Sequence, residues 1–176
     1  SCEAVGSNAE FARSNLDYEF WKSNCIKLQQ MQPGIGTHIM MTVSVLTVWT
    51  MDKFLDDVVE MRKQLQEELG TSVNYYHMSV NILRYPSFQS VNILPLAIKT
   101  DLADRLVDSI ERNKRHMSDS EINNYERCID YLRLVDVSYE DTDSSEDKIN
   151  DFVKFITQYS ERKSMPLSMM PDEFND

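Results

Sequence analysis

Glycine, proline, cysteine, histidine and basic charge are all scarce in this chain, and each scarcity closes off a class of function. Its 176 residues include 4 Gly, 5 Pro, 3 Cys and 3 His. Four glycines leave no Gly-rich loop of the kind whose backbone cradles a phosphate. His38, His77 and His116 form no HxxxH or other close pair in the sequence, so each reads as an isolated structural residue rather than a ligand or base. Cys2, Cys25 and Cys128 are odd in number and far apart, with no CxxC pair and no disulfide framework. A reducing, cytoplasmic setting is the simplest expectation. Lys and Arg number 18 against 29 Asp and Glu, a net charge of -11. Neutralising nucleic-acid phosphates needs a basic face, so no nucleic acid is expected as a partner. No apolar run is long enough to span a bilayer, and the negative charge argues against docking on anionic lipid, so no membrane partner is expected. No nucleophile elbow and no secretory signal is visible.

What is present is enough apolar content, 41%, for one domain with a real core. Residues 1–5 read as the end of a buried strand, followed by a short helix over 8–13. A helix over 17–31 places Tyr18, Trp21, Cys25 and Leu28 on one stripe, which makes Cys25 a small core residue. Cys128 has a similar place beside Tyr125, Ile129 and Leu132. Pro33, Gly34 and Gly36 end the first long helix. HIMMTVSVLTVW, 38–49, is apolar almost without interruption and reads as a strand buried on both faces, as parallel strands usually are. Thr50 is placed to cap a helix over 51–69 whose stripe is Phe54, Leu55, Val58, Met61, Leu65 and Leu69, with Gly70 as the stop. YYHMSVNIL, 75–83, reads as a second buried strand. Strand, helix, strand is a βαβ unit, and its two strands should be parallel neighbours joined by a right-handed crossover.

Beyond Pro86 the pattern turns helical, with a short edge strand conceivable only at 91–94. Helices are expected over 100–116, with Leu102, Leu106 and Ile110 inward, and after the capping box Ser118–Glu121, with Ile122, Tyr125, Ile129 and Leu132 inward. The stretch YEDTDSSED, 139–147, lacks the ligand order of a calcium loop and reads as a solvated linker. A last stripe holds Ile149, Phe152, Val153, Ile156 and Tyr159. The Met- and Pro-rich tail is expected to pack loosely. The acid pairs Asp56–Asp57 and Glu67–Glu68 fall on helix surfaces and read as solvated.

The fold class is therefore α/β: a βαβαβ parallel part-barrel over 1–86 and a helical C-terminal region over 87–176 packed on it. Right-handed crossovers put the helices at 17–31 and 51–69 on one face of the sheet. The other face is left bare. A homodimer, or less readily the C-terminal helices or the tail PLSMMP, is expected to cover it.

SCEAVG followed by AEFAR resembles the fourth-strand segment of radical S-adenosylmethionine (SAM) enzymes, where a strand ends in Ser-x-Asp/Glu and a short helix brings in an Arg. MTVSVLTVWTMDKFLD and SVNILRYPSFQSVNILP resemble strands five and six of the twitch-domain subgroup, and FVKFITQYSERKS resembles its ending. The similarity runs over nearly the whole chain. It implies the C-terminal portion of a partial TIM barrel, with SAM and a [4Fe-4S] cluster as cofactors of the complete enzyme. It also implies an Arg13 that grips the SAM carboxylate through its two-pronged guanidinium. Ser1 is implied to donate to the carboxylate or ribose, and Glu3 to accept from a ribose hydroxyl or orient Arg13. Thr42, Ser44 and Asn81 are polar residues in apolar strands that need partners. They are candidates for lining the cofactor or substrate cavity.

The family's CxxxCxxC is absent, as are the strands that would carry it. The expectation is thus a C-terminal part of such an enzyme that binds no cluster and cleaves no SAM alone. The alternative is a stand-alone acidic α/β interaction or accessory module without catalysis. The substrate is not legible in either case.

Overall fold

Alternation, not continuous burial, builds the sheet. In the computed structural model, which describes residues 1–33, 35–70, 76–134 and 144–174, THIMMTV forms β1 (Thr37–Val43). Ile39, Met41 and Val43 are buried, while His38 and Met40 are exposed. YHMSVNI forms β2 (Tyr76–Ile82), with Tyr76, Met78 and Val80 buried and His77 and Asn81 exposed. The strands are parallel neighbours, in register from Thr37↔Tyr76 to Val43↔Ile82. Side chains change face at every residue. The pair therefore has one apolar face on the core and one open face, and the expectation of burial on both faces is corrected.

The apolar run misled because it joins two local structures. β1 stops at Val43, and Ser44 and Thr47 fold the chain into a turn. Ser44 N donates to Thr47 Oγ1 at 3.0 Å, Leu46 N donates to Ser44 Oγ at 3.3 Å, and Thr47 Oγ1 donates to the Thr42 carbonyl at 3.1 Å. A 3-10 turn over Val48–Thr50 follows. Val45, Leu46, Val48 and Trp49 are buried from this turn rather than from a strand.

The other expected strand is also reshaped. Residues 1–5 run beside β1 but take no part in its backbone ladder, so the sheet among the described residues has two strands. The α/β class and the parallel pairing stand, and the βαβαβ pattern is present as βαβ. The segment 91–94 is a 3-10 turn over Val91–Ile93 rather than an edge strand.

Helices pack against the apolar face and against one another. They are α1 (Gly6–Ala12), α2 (Tyr18–Met31), α3 (Met51–Leu69), α4 (Leu96–Asn113), α5 (Asp119–Arg133) and α6 (Ser145–Lys163). α3 links the strands, buries Phe54, Leu55, Val58, Met61 and Leu65, and ends at Gly70, whose φ of +64° is left-handed. α2 lies against α3: Trp21 meets Phe54 with ring centres 5.9 Å apart, and Tyr18 donates to Asp57 at 2.8 Å. α4 packs on the far side of α3 through Leu102, Leu106 and Ile110, all buried, and through Asp56, which accepts from Ser109 at 2.8 Å and Arg112 at 2.9 Å. The acids at 56 and 57 are thus helix-to-helix ties, not a solvated pair. α5 opens on the expected capping box and sets Tyr125 beneath the sheet, its hydroxyl against the sulfurs of Met41 and Met78.

The tail is docked rather than loose. Met170 is buried, and Phe174 meets Trp49 and Phe152 edge-on at 5.7 and 6.0 Å. The tail and α6 sit over α1 and the turns that follow β2, and they leave the open sheet face uncovered, with Met40 still 55% exposed. Most of the acidic stretch 139–147 lies outside the described residues; its end supplies the cap of α6, where Ser144 Oγ accepts from Asp147 N at 3.1 Å.

Candidate functional site

The six sequence-derived candidates fall into three groups: Ser1, Glu3 and Arg13 beside β1, Thr42 and Asn81 side by side on the open face, and Ser44 in the turn after β1. Ser1 Oγ donates to the Met40 carbonyl at 2.5 Å. Glu3, 5% exposed, receives Arg13 Nη2 on both carboxyl oxygens at 2.9 and 2.7 Å. The Thr42 backbone also favours the charged form of the Glu3 carboxyl. Thr42 and Asn81 are register partners on the open face, near the C-terminal ends of both strands. Ser44 stands apart: it lies beyond β1, buried in the turn with Thr47, and does not share a strand face with Thr42. Asn81 is exposed, so it needs no buried partner.

α1 sets the position of Arg13. Asn8 fixes that helix by donating Nδ2 to the Leu46 carbonyl at 2.7 Å and accepting from Thr50 Oγ1 at 2.9 Å. Thr50 does not close the first turn of α3 with its side chain; its hydroxyl accepts from Val5 N at 3.1 Å instead. Tyr159 of α6 donates to the Phe11 carbonyl at 2.9 Å. The segment carrying Glu3 and Arg13 is therefore bolted to the turn after β1 and to α6.

Burial pushes the Glu3 carboxyl above its ordinary range, and the Arg13 guanidinium offsets only part of that rise. Arg13 commits one terminal nitrogen to Glu3, and its Nε is buried without a partner among the described residues. The Arg13 side chain is 34% exposed, and its guanidinium has donors beyond the one nitrogen given to Glu3. The cysteines have another character. Cys2, Cys25 and Cys128 lie on the N-terminal segment, α2 and α5, with Cys2 and Cys128 buried and Cys25 half-buried. Burial pushes the Cys2 thiol up to about 11 and the Cys128 thiol up to about 12. Metal coordination needs thiolates that converge. These three do not fit a cluster.

Two constellations escaped the sequence reading. Arg62 and Glu121 form an ion pair buried at the outer edge of β2: Arg62 donates to Glu121 and to the Tyr76 carbonyl, and Met78 N donates to Glu121 at 2.9 Å. The signal was in the spacing, since Arg62 falls between Val58 and Leu65 on the buried stripe of α3. The other is His38 and His77, distant in sequence yet direct register partners across the sheet and both exposed. Parallel pairing predicts such a pair once the register is known. The sequence alone does not supply the register.

No family model, no curated protein and no solved structure matches this chain. No described helix is long and apolar enough to cross a membrane.

Proposed function

We propose that this chain is the C-terminal part of a radical SAM enzyme, contributing the side of the site that holds the SAM carboxylate and ribose, and inactive alone. In this reading residues 1–5, β1 and β2 are strands four to six of a partial TIM barrel, and the open face is the cavity side. The observation that carries it is Arg13: a guanidinium held by a buried acid beside a parallel sheet, with an orphaned Nε and a partly exposed side chain. Ligands of open α/β sheets gather at the carboxyl ends of the strands, which is where Thr42 and Asn81 lie. In the complete enzyme Arg13 would hold the methionine carboxylate of SAM, Glu3 would keep Arg13 aligned, and Ser1 or Thr42 would meet the ribose. SAM supplies the radical chemistry when it is bound with its cluster, and the cluster thiolates would come from outside this chain.

Calorimetric titration of the chain with SAM tests the reading. Weak, saturable binding that Arg13→Gln abolishes is the expected result. Binding untouched by that substitution, or none at all, sinks it. Anaerobic reconstitution with iron and sulfide should leave the chain without a stoichiometric [4Fe-4S] cluster and without SAM cleavage.

The closed edges of the sheet favour a second reading, a stand-alone interaction module. Both edges meet Arg–Glu pairs of this same chain, Glu3 with Arg13 and Glu121 with Arg62. That reading requires no SAM binding, together with a homodimer across the open face that light scattering would detect.

A further inference from the structure

The open face of the sheet is arranged in three cross-strand rows: His38 with His77, Met40 with Ser79, and Thr42 with Asn81. The first row lies at the amino ends of the strands, two rows from the candidate site. His38 and His77 are directly opposite in a parallel ladder, so both side chains leave the sheet on the same face. Their sequence neighbours Ile39 and Met78 are buried on the other face, which fixes that orientation. Neither imidazole makes a hydrogen bond or ion pair with another described residue, and both are exposed.

Adjacent strands lie about 4.8 Å apart. Two imidazoles based at that separation can converge on a single ion at a metal–nitrogen distance of about 2.0–2.1 Å. Imidazole nitrogen suits zinc, copper and nickel rather than magnesium or calcium. No third His, Cys, Asp or Glu joins the pair in a ligand group among the described residues. With respect to the described residues, the remaining coordination positions are open to water or an anionic ligand.

We propose that His38 and His77 form an open two-imidazole site for a divalent transition-metal cation of the zinc class on the exposed face of the sheet. The site joins the two strands, so the bound ion stabilises the folded chain by mass action. It needs neutral imidazoles. Nothing in it depends on SAM, and it stands or falls separately from the reading of Arg13.

Titration of the whole chain with zinc chloride tests this, read by calorimetry and by histidine ring nitrogen shifts in NMR spectra. The expected result is one zinc per chain, shifts at His38 and His77 together, and a raised melting temperature. His38→Gln and His77→Gln should each lose the binding and the thermal shift, while His116→Gln and Cys25→Ser keep both. The ring shifts of the unmodified chain need no variant and so remain decisive if a variant folds poorly. No saturable zinc binding, ring shifts at only one of the two histidines, or binding that survives either glutamine substitution would overturn the proposal.

Discussion

One carboxyl performs two tasks at Glu121. Its Oε2 accepts from Ser118 N at 2.9 Å and Ser118 Oγ at 3.0 Å, closing the start of α5. Its Oε1 takes Arg62 and the Met78 amide at the edge of β2. Burial would push this carboxyl up, but the Arg62 charge and the hydrogen bonds together outweigh it and hold the pKa below the ordinary 4.5. A depressed folded pKa means that this stabilisation is present above pH 4.5 and is lost as the pH falls through the folded value. Glu121→Gln should therefore flatten the acid limb of a stability-against-pH curve measured by urea denaturation. Removing either partner leaves a buried charge alone, so Arg62→Met and Glu121→Gln should each cost about 3–5 kcal/mol at pH 7. Replacing both partners by apolar residues should cost less than either single change. A double variant as unstable as the sum of the singles would refute this account. The cap Ser118–Glu121 was legible in the sequence because its signature is local. Its arginine was not, because a charge on an apolar stripe reads as an interruption until its partner is known.

At the scale of elements, helices were more legible than strands. The stripe of α3 and its stop at Gly70 follow from spacing and from one residue type. Gly70 has nothing within 4 Å of where a Cβ would sit, so its need is for the left-handed φ of +64° alone. Gly70→Ala should cost about 1–2 kcal/mol from backbone conformation, read as a lower midpoint in thermal unfolding. The parallel pairing of β1 and β2 was legible from two apolar runs and one amphipathic helix. The extent of β1 was not, since Val45, Leu46, Val48 and Trp49 are as apolar as Ile39 and Val43 but are buried from a turn. Nor was the character of the open face, because exposed Met40 looks like a core residue in any tally of apolar positions. Among the site residues, Ser1, Glu3 and Arg13 rest on the resemblance and gather beside β1, while Thr42 and Asn81 stand out as polar positions in apolar runs and lie side by side on the open face. Ser44 fails to join them because its hydroxyl meets that of Thr47 and the Leu46 amide within the turn.

For the whole molecule, the two ends of the chain depend on each other. Rings pass contact from Phe11 to Tyr159 at 5.4 Å, from Tyr159 to Phe155 at 5.7 Å, and from Phe155 to Phe88 at 5.5 Å. Met170, also buried, brings its sulfur to Asn8 Nδ2 at 3.3 Å. Met170→Ala should cost about 2 kcal/mol or more in chemical denaturation, as a large-to-small change in a packed site. It should also loosen α1, seen as faster amide exchange at Ala9 and Phe11. The Asn8 anchor, and with it the seat of Arg13, draws on a residue near the far end of the sequence. A ribosome delivers the chain from its first residue to its last. Asn8 is therefore made well before Met170, and the contact between them forms only once the segment around Met170 has emerged. Until then the anchor of α1 rests on Leu46 and Thr50 alone.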